Sequence, residues 1–389
     1  MRSIRPSSGF WLSGFYLFQF GALGAYLPYF PLYLDSLRFS SAQIGLILAL
    51  VPGARALLPT VWGAVADRYR LRYELILWTC VLSAASFAGL WATGSFMGVM
   101  LVVALFAVCW SAASPLVDAT AMDQAESHGL DYGRVRLWGS IGFILATVVL
   151  GQILDVAKRL WAVHFMVILL AGNALACIGL PRSRPHAAEQ HPRISALLRS
   201  RGFVTLLGCA FLMLASHGTL YGFFSIHLET LGYSKLAIGG LWSVGVVAEL
   251  LLFYFSGGLL RRFGSVRLIR LSLVLAVLRW GICAATGNAA ALVFAQALHA
   301  FSFAAFHVSM IGLAHRLARP QLRGSAQSLL NGVSYGLGQG VGIYLSGVFY
   351  DVLGAPALFL ASGAVAALGA LLALRLTDGS SQDPPHPLA

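Results

Sequence analysis

Apolar residues dominate this chain in long, regularly interrupted runs. They fall near 10–34, 42–66, 73–93, 97–120, 136–155 and 160–180, then 202–228, 236–260, 268–286, 290–314, 325–350 and 355–375. Each run is about as long as the ~20 residues a helix needs to cross the hydrocarbon core of a bilayer. Between the runs lie short polar turns, and the longest polar interruption, Pro181 to Ser200, sits near the middle of the chain. Six runs precede it and six follow, so the pattern predicts twelve membrane-spanning helices in two groups. The expected organisation is a first bundle over 1–180, a linker over 181–200, a second bundle over 201–376 and a disordered tail over 377–389.

Composition agrees with the pattern. Hydrophobic residues make up 58% of the 389 residues and charged ones only 10%, against about a quarter charged in soluble domains. A secretory leader does not explain the first run: Phe10 to Tyr33 is long enough to span, and no small-residue cleavage site follows it.

The net charge of +12 invites a nucleic-acid reading, but the placement of the charges decides otherwise. With the N-terminus inside, nineteen of the 26 Lys and Arg residues fall in cytoplasmic segments, among them Arg68, Arg70, Arg72, Arg261, Arg262 and Arg323. Four fall on the opposite side (Arg38, Lys158, Arg159 and Lys235) and three inside helices (Arg55, Arg136 and Arg279). Such a bias orients the helices by the positive-inside rule, with both termini cytoplasmic. The expected setting is the cell inner membrane, with lipid and a small solute as partners, no nucleic acid, and a monomeric carrier. The five cysteines lie singly inside apolar runs, an odd number without metal-type spacing, and read as small core residues.

The two groups of runs are related. Shifting the chain by 194 residues places Asp35, Leu37, Ser40, Ile44, Gly45, Gly63 and Arg68 over Glu229, Leu231, Ser234, Ile238, Gly239, Gly257 and Arg262. A shift of 196 places Gly142, Gly151 and Asp155 over Gly338, Gly347 and Asp351. Six spans preserve the in/out sense, so the repeat is parallel, with its axis along the membrane normal.

After the second run comes Gly63-Ala-Val-Ala-Asp67-Arg68-Tyr69-Arg70-Leu71-Arg72. This resembles the major facilitator signature Gly-x-x-x-Asp-Arg-x-Gly-x-Arg, with Arg70 standing at the second glycine. An aspartate at a helix end can pair with arginines or with a facing helix N-terminus, so Asp67, Arg68 and Arg72 are candidates for a conformational latch. Asp131-Tyr-Gly-Arg-Val-Arg136-Leu-Trp-Gly-Ser140, Gly240-Leu-Trp-Ser-Val-Gly-Val-Val-Ala-Glu249 and Arg279-Trp-Gly-Ile carry a closer likeness. They look like the phenylpropionate permease-type branch of the major facilitators, akin to lactose-permease-like and nucleoside proton symporters, over nearly the whole chain. The resemblance implies an all-α fold of two pseudo-symmetric six-helix bundles. It also implies proton-coupled uptake of a small organic solute, an aromatic carboxylate being one candidate.

Ionisable residues at membrane depth are functional candidates, because a central charge costs roughly 2.5–3.5 kcal/mol on insertion scales. Arg55 and Glu249 lie near the middle of the second and eighth runs, at equivalent positions under the 194-residue shift. Glu249 is the leading site of reversible protonation. Arg55 either receives a substrate carboxylate or holds Glu249 ionised, or the two form a permanent structural pair. Arg279 is expected to have a structural partner, with Glu249 the nearest candidate, or a substrate role. Asp118 and Arg136, near the same ends of neighbouring runs, are expected to pair as a structural or gating element.

On the resemblance, His217, His299 and His307 would line the central cavity; each is a proton carrier or a simple interhelical bond. Two polar stripes follow helical periodicity: Tyr16, Gln19, Tyr26 and Tyr33 on the first span, and Asn331, Tyr335 and Gln339 every four residues on the eleventh. A shorter stripe of His217, Tyr221 and Phe224 marks the seventh. These faces either shape a solute pocket or pack helices.

No nucleotide-binding loop, metal motif or hydrolase elbow is found, and the chain has only two lysines. The expectation is therefore no enzyme, no metal and no cofactor. A proton-coupled symporter working by alternating access is the leading reading. Efflux or facilitated diffusion of a nucleoside, sugar or drug-like solute is the alternative, and a non-transporting sensor on the same scaffold the second. Intact midplane charges and a short linker weigh against the sensor.

Overall fold

The computed structural model describes residues 8–182 and 195–377. The core of the expected linker, 183–194, and the expected disordered tail from 378 onward lie outside the described residues. The described residues are helical almost throughout and contain no strand.

In the first half the helices are α1 (Ser8–Ser36), α2 (Ser41–Tyr69), α3 (Arg72–Ala88), α4 (Phe96–His128), α5 (Tyr132–Val156) and α6 (Trp161–Ile178). In the second half, α7 runs as Arg201–Ser216 and Gly218–Thr230, interrupted at His217, followed by α8 (Lys235–Phe263) and α9 (Ser265–Ala285). The tenth, α10, begins as Ala289–Ala297 and ends as Phe306–Leu317. The last two follow each other directly between Arg323 and Ala373, where Gly354 has non-helical φ/ψ (72°, 166°) and divides them into α11, residues 323–353, and α12, residues 355–373.

Ten helical stretches among the described residues are long and apolar enough to cross a membrane. One of these, Pro320–Ala373, contains both α11 and α12. Helix α1 is outside the ten although it has 29 residues, because four tyrosines, Gln19 and two prolines dilute its apolar character. Among the described residues this gives twelve long helices, six in each half.

The repeat is visible in local structure. Helices α2 and α8 begin and end 194 residues apart, 41 to 235 and 69 to 263. Each starts on a serine cap: Ser40 accepts from the Gln43 N–H and Ser234 from the Ala237 N–H, satisfying donors that the first helical turn leaves free. Each also ends on a residue with positive φ, Arg70 (φ 55°) and Gly264 (φ 74°).

We call the end carrying the 69–72, 128–132, 263–265 and 317–320 turns the arginine-rich end, and the opposite one the far end. At the far end the two halves are clamped together twice, in equivalent ways. The Asp155 carboxylate at the end of α5 accepts from the backbone N–H groups of Lys235 (2.6 Å) and Leu236 (3.1 Å), the first turn of α8. The Asp351 carboxylate near the end of α11 accepts from the Ser41 N–H (3.3 Å) and hydroxyl, the first turn of α2. Both place an anion at the positive end of a helix dipole.

Glycines let these helices cross closely. A Cβ on Gly45 would strike the backbone of Gly347 and Ile343, and one on Gly151 would strike Tyr29 Oη and the backbone of Lys235 and Leu236. Arg159 closes the same end by bridging Asp35 (3.1 Å) and Glu229 (2.8 Å), carboxylates that occupy equivalent positions in the two halves.

Candidate functional site

Between the halves lies a cavity of about 720 Å³, a size suited to a small organic molecule. It is lined by α1, α4 and α5 of the first half and by α7 to α11 of the second. Tyr132 and Gly133 at the start of α5, and Gln327 near the start of α11, line its mouth, so it opens toward the arginine-rich end while the far end is shut. The lining residues follow helical spacing: Trp242, Gly245, Val246, Glu249 and Phe253 on α8, and Gln296, His299, Phe303 and His307 on α10.

The second-half wall is a connected polar network. Glu249 Oε1 lies 2.8 Å from His299 Nε2, with side chains 16% and 10% exposed. On the other side of that ring, His299 Nδ1 is 2.8 Å from Arg279 Nη1. A guanidinium only donates, so Nδ1 must be the acceptor; in a neutral imidazole the proton then sits on Nε2 and is donated to Glu249. Arg279 is fully buried and also donates to Gln296 Oε1 (2.6 Å), Ser302 Oγ (3.2 Å) and His217 Nε2 (3.3 Å). By the same logic His217 carries its proton on Nδ1, which donates to the Met213 carbonyl (2.8 Å). Two neutral histidines of opposite tautomer thus hold one arginine, and one of them hands its N–H to the carboxylate.

Arg279 and Glu249 are therefore linked through His299 rather than paired directly. His217 stands behind Arg279, fully buried and away from the cavity wall. His307 does line the cavity, its Nδ1 2.8 Å from Tyr335 Oη. Asn331 and Tyr335 line the cavity with it.

The first-half wall is organised differently. Asp118 accepts from the hydroxyls of Tyr16 and Tyr132, the latter at 3.3 Å, and makes no ion pair with Arg136 among the described residues. Both tyrosines donate to Oδ1, and Arg136 lies instead over the ring of Phe20, 3.8 Å from its centroid. The two expected partners share a cavity wall without meeting. Gln19 is buried and donates to Ser114 (3.1 Å), a contact between α1 and α4 outside the cavity wall.

Arg55 and Glu249 are not brought together. Glu249 faces the main cavity, while Arg55 lies in a separate small pocket with Tyr26, Tyr221 and Gln339, its guanidinium carbon 5.3 Å from the centre of the Trp110 ring. At the arginine-rich end, Arg72 bridges Asp123 of α4 (2.7 Å) and Asp67 at the end of α2 (3.8 Å). Asp67 is thus engaged within its own half in this conformation, and Arg68 lies 5.9 Å from the centre of the neighbouring Tyr69 ring. Arg70 adopts the left-handed conformation (φ 55°, ψ 35°) in which the signature favours glycine, so the turn is kept despite the side chain.

Sequence reasoning did not single out Trp242, Gln296, Phe303, Tyr132 or Gln327. Gln296 carried a signal, an amide inside an apolar run three residues before His299. Two π-helical segments, Ala300–Ala305 directly after His299 and Gly332–Gly338 around Tyr335, left no signature in the residue pattern. Each widens a turn and shifts the side chains that follow it, as such segments often do beside functional sites.

Comparison with known proteins places this geometry in context. A model of the MFS_1-like family matches residues 10–361. The chain is 30% identical over 354 residues to a probable 3-phenylpropionic acid transporter of Escherichia coli K12, covering 88% of this chain and 92% of that protein. It is 31% identical over 330 residues to a maltose permease of Geobacillus stearothermophilus, covering 83% of each. Among solved structures, a point mutant of the nucleoside transporter NupG superposes with a TM-score of 0.86 at 19% identity, covering 95% of this chain and 99% of that one, a likeness of fold alone. Taken with the twelve helices in two related bundles and the cavity between them, the match over most of the chain makes this protein a member of the MFS_1-like family of major facilitator transporters.

Proposed function

We propose that the protein is a proton-coupled importer of a small organic solute, with Glu249 as the group that takes up and releases the proton. The observation that carries this reading is the Glu249–His299–Arg279 chain in the cavity wall. His299 is held as the neutral donor, so an arriving proton has one acceptor in the chain, the Glu249 carboxylate. Protonation there leaves the positive charge of Arg279 uncompensated in the wall, which favours an anionic solute. By linkage, a bound anion favours the protonated carrier to the same degree. Empty and doubly loaded carriers then change conformation more readily than half-loaded ones, which is the condition for coupling.

The excess of arginine at one end supports a cytoplasmic placement of that end, and of both termini, in the cell inner membrane. On that orientation the conformation is inward-open. The far-end clamps at Asp155 and Asp351 would then be the external gate, and the Asp67–Arg72–Asp123 group a latch that changes partners when the inner side closes. Solute-shaping roles fall to the cavity residues His299, His307, Asn331 and Tyr335, with Tyr132 and Arg136 framing the mouth and the buried Tyr16 holding Asp118 behind the wall. The printed name of the Escherichia coli relative puts aromatic acids first in the solute panel, ahead of sugars and nucleosides.

The test is solute-stimulated proton flux in proteoliposomes, wild type beside Glu249→Gln. The expected result is uphill accumulation driven by an inward-acid gradient in wild type and its loss in the variant, with solute exchange retained. Accumulation that persists in Glu249→Gln removes the proton from this site. A wild type in which no member of the panel moves a proton overturns symport.

A further inference from the structure

The small pocket around Arg55 has an unusual chemistry: it presents hydrogen-bond donors and no carboxylate. Arg55 lies mid-helix in α2, and among the described residues it makes no hydrogen bond and no ion pair. Its one close contact is with the face of the Trp110 ring, an interaction worth about 0.5–2 kcal/mol. The guanidinium is half-buried and keeps its donors free for a charge-assisted hydrogen bond.

Two further donors in this region are also unsatisfied. Tyr26, 4% exposed, lines the pocket, and its hydroxyl has no partner. Trp110, 3% exposed, packs its ring 5.7 Å from that of Tyr26, and its Nε1–H has no partner either. Buried polar groups are hydrogen-bonded in the great majority of cases, so the buried Tyr26 hydroxyl, in one pocket with a half-buried Arg55 guanidinium that makes no hydrogen bond, calls for a partner that arrives from elsewhere.

The pocket is placed to receive one from the main cavity. It shares Leu23, Leu27 and Tyr221 with that cavity, of which it forms an annex. Its volume of about 20 Å³ admits one oxygen-sized group, so only the head of a solute can enter while the remainder lies in the larger space. We infer that the annex binds the carboxylate of the transported solute, one oxygen inserted between the Arg55 guanidinium and the Tyr26 hydroxyl and the body of the molecule lying in the 720 Å³ cavity. This assigns the solute a monocarboxylate head. It rests on the reading of the chain as a small-solute carrier, but not on proton coupling.

An anion there also explains the wide spacing of Arg55 and Glu249. The two charges act on different parts of the cycle, Arg55 on the solute and Glu249 on the proton, and a direct pair would satisfy both without either.

The experiment is isothermal titration of the full chain in nanodiscs with three acid–amide pairs: 3-phenylpropionate and its amide, benzoate and benzamide, hexanoate and hexanamide. Amides keep the shape and remove the charge. At least one acid is expected to bind about tenfold or more tighter than its amide, the scale of charge-assisted hydrogen bonds. Arg55→Gln should erase that preference, Arg55→Lys keep part of it, and Tyr26→Phe reduce it about threefold to tenfold with amide affinity unchanged. Absence of any acid preference in wild type overturns the inference, and so does a preference that survives Arg55→Gln. If Arg55→Gln does not fold, Tyr26→Phe decides: an unchanged preference overturns the annex. Titration with chloride alone separates the remaining source. Chloride binding that depends on Arg55, without preference for any organic acid, also overturns the assignment. Loss of acid preference in Arg55→Gln would leave the annex standing even if no proton flux were found, so the two proposals fail separately.

Discussion

Arg55 and Glu249 stand at equivalent places in two copies of one helix, and the two halves treat them in opposite ways. Around Glu249 the second half has built a set of hydrogen-bonding partners: His299 donates to it, Arg279 Nη1 is shared among His299, Ser302 and His217, and Nη2 donates to Gln296, with Arg279 Nε left unmatched. Around Arg55 the first half has supplied rings, with Trp110 beneath it and Tyr26 in the same pocket, and no carboxylate. A charge inside a bilayer must be compensated. One half compensates internally and so can hold a proton in balance, whereas the other leaves the compensation to whatever enters. On the proposed function, a duplicated scaffold divides the two tasks of a coupled carrier between its halves without breaking its symmetry elsewhere.

The largest effect should come from the closed half. Glu249→Gln is expected to cut gradient-driven accumulation about 100-fold or more, measured as the steady-state ratio of solute inside to outside proteoliposomes, while equilibrium exchange persists. Equal loss of both activities would mean that Glu249 binds solute, and the division of labour would fail.

Next in size is Arg279. Arg279→Met leaves two buried histidines and Gln296 without their common donor and should destabilise the protein by about 3–5 kcal/mol, read as a lower midpoint in thermal unfolding in detergent. Arg55→Met, which removes an arginine with no partner, should cost little or raise that midpoint. Similar destabilisation by both variants would show that the two arginines are alike after all.

Where the halves are the same, matching changes should have matching effects. Asp155→Asn and Asp351→Asn each weaken one far-end clamp and should raise the labelling rate of a cysteine placed in the cavity, reached from the far side, about threefold to tenfold. A response to one and not the other would make a single clamp the gate.

The smallest effect concerns the turns after α2 and α8. Arg70 occupies a left-handed position that costs a non-glycine residue roughly 1 kcal/mol, so Arg70→Gly should stabilise by about that much. Gly264 has φ 74° and ψ 160°, a region essentially restricted to glycine, so Gly264→Arg should destabilise by about 1–3 kcal/mol in the same melting assay.

The fold could be read from the chain because a bilayer enforces simple rules. Every backbone group must be satisfied within its own helix, so apolar run length reports span number, and the 194-residue shift reports duplication. The capping serines Ser40 and Ser234, and the paired aspartates Asp155 and Asp351, stood in the sequence as matched letters. Membrane-depth charge singled out Arg55, Glu249 and Arg279, since in lipid each such residue is costly and therefore conspicuous.

Their relationships were not readable. Equivalent position in the repeat left open whether Arg55 and Glu249 pair or act apart; in the structure they line different pockets, and each took partners from its own half. Asp118 and Arg136 end near each other along the membrane normal, yet the tyrosines Tyr16 and Tyr132 reached the carboxylate first. Periodicity placed Gln339 in one stripe with Asn331 and Tyr335, but the π-helical segment at Gly332–Gly338 offsets the turn, and Gln339 lines the annex instead of the cavity.

By itself, the sequence determined that the protein is a membrane-embedded, duplicated bundle with three arginines and one glutamate inside its apolar runs, because hydropathy, charge bias and repetition are local properties of the chain. Only the tertiary structure decided which of those charges are answered. Partners come from other helices of the same half, tens of residues away along the chain, and whether a guanidinium faces an imidazole or an indole depends on crossing angles and helix offsets that residue pattern does not encode.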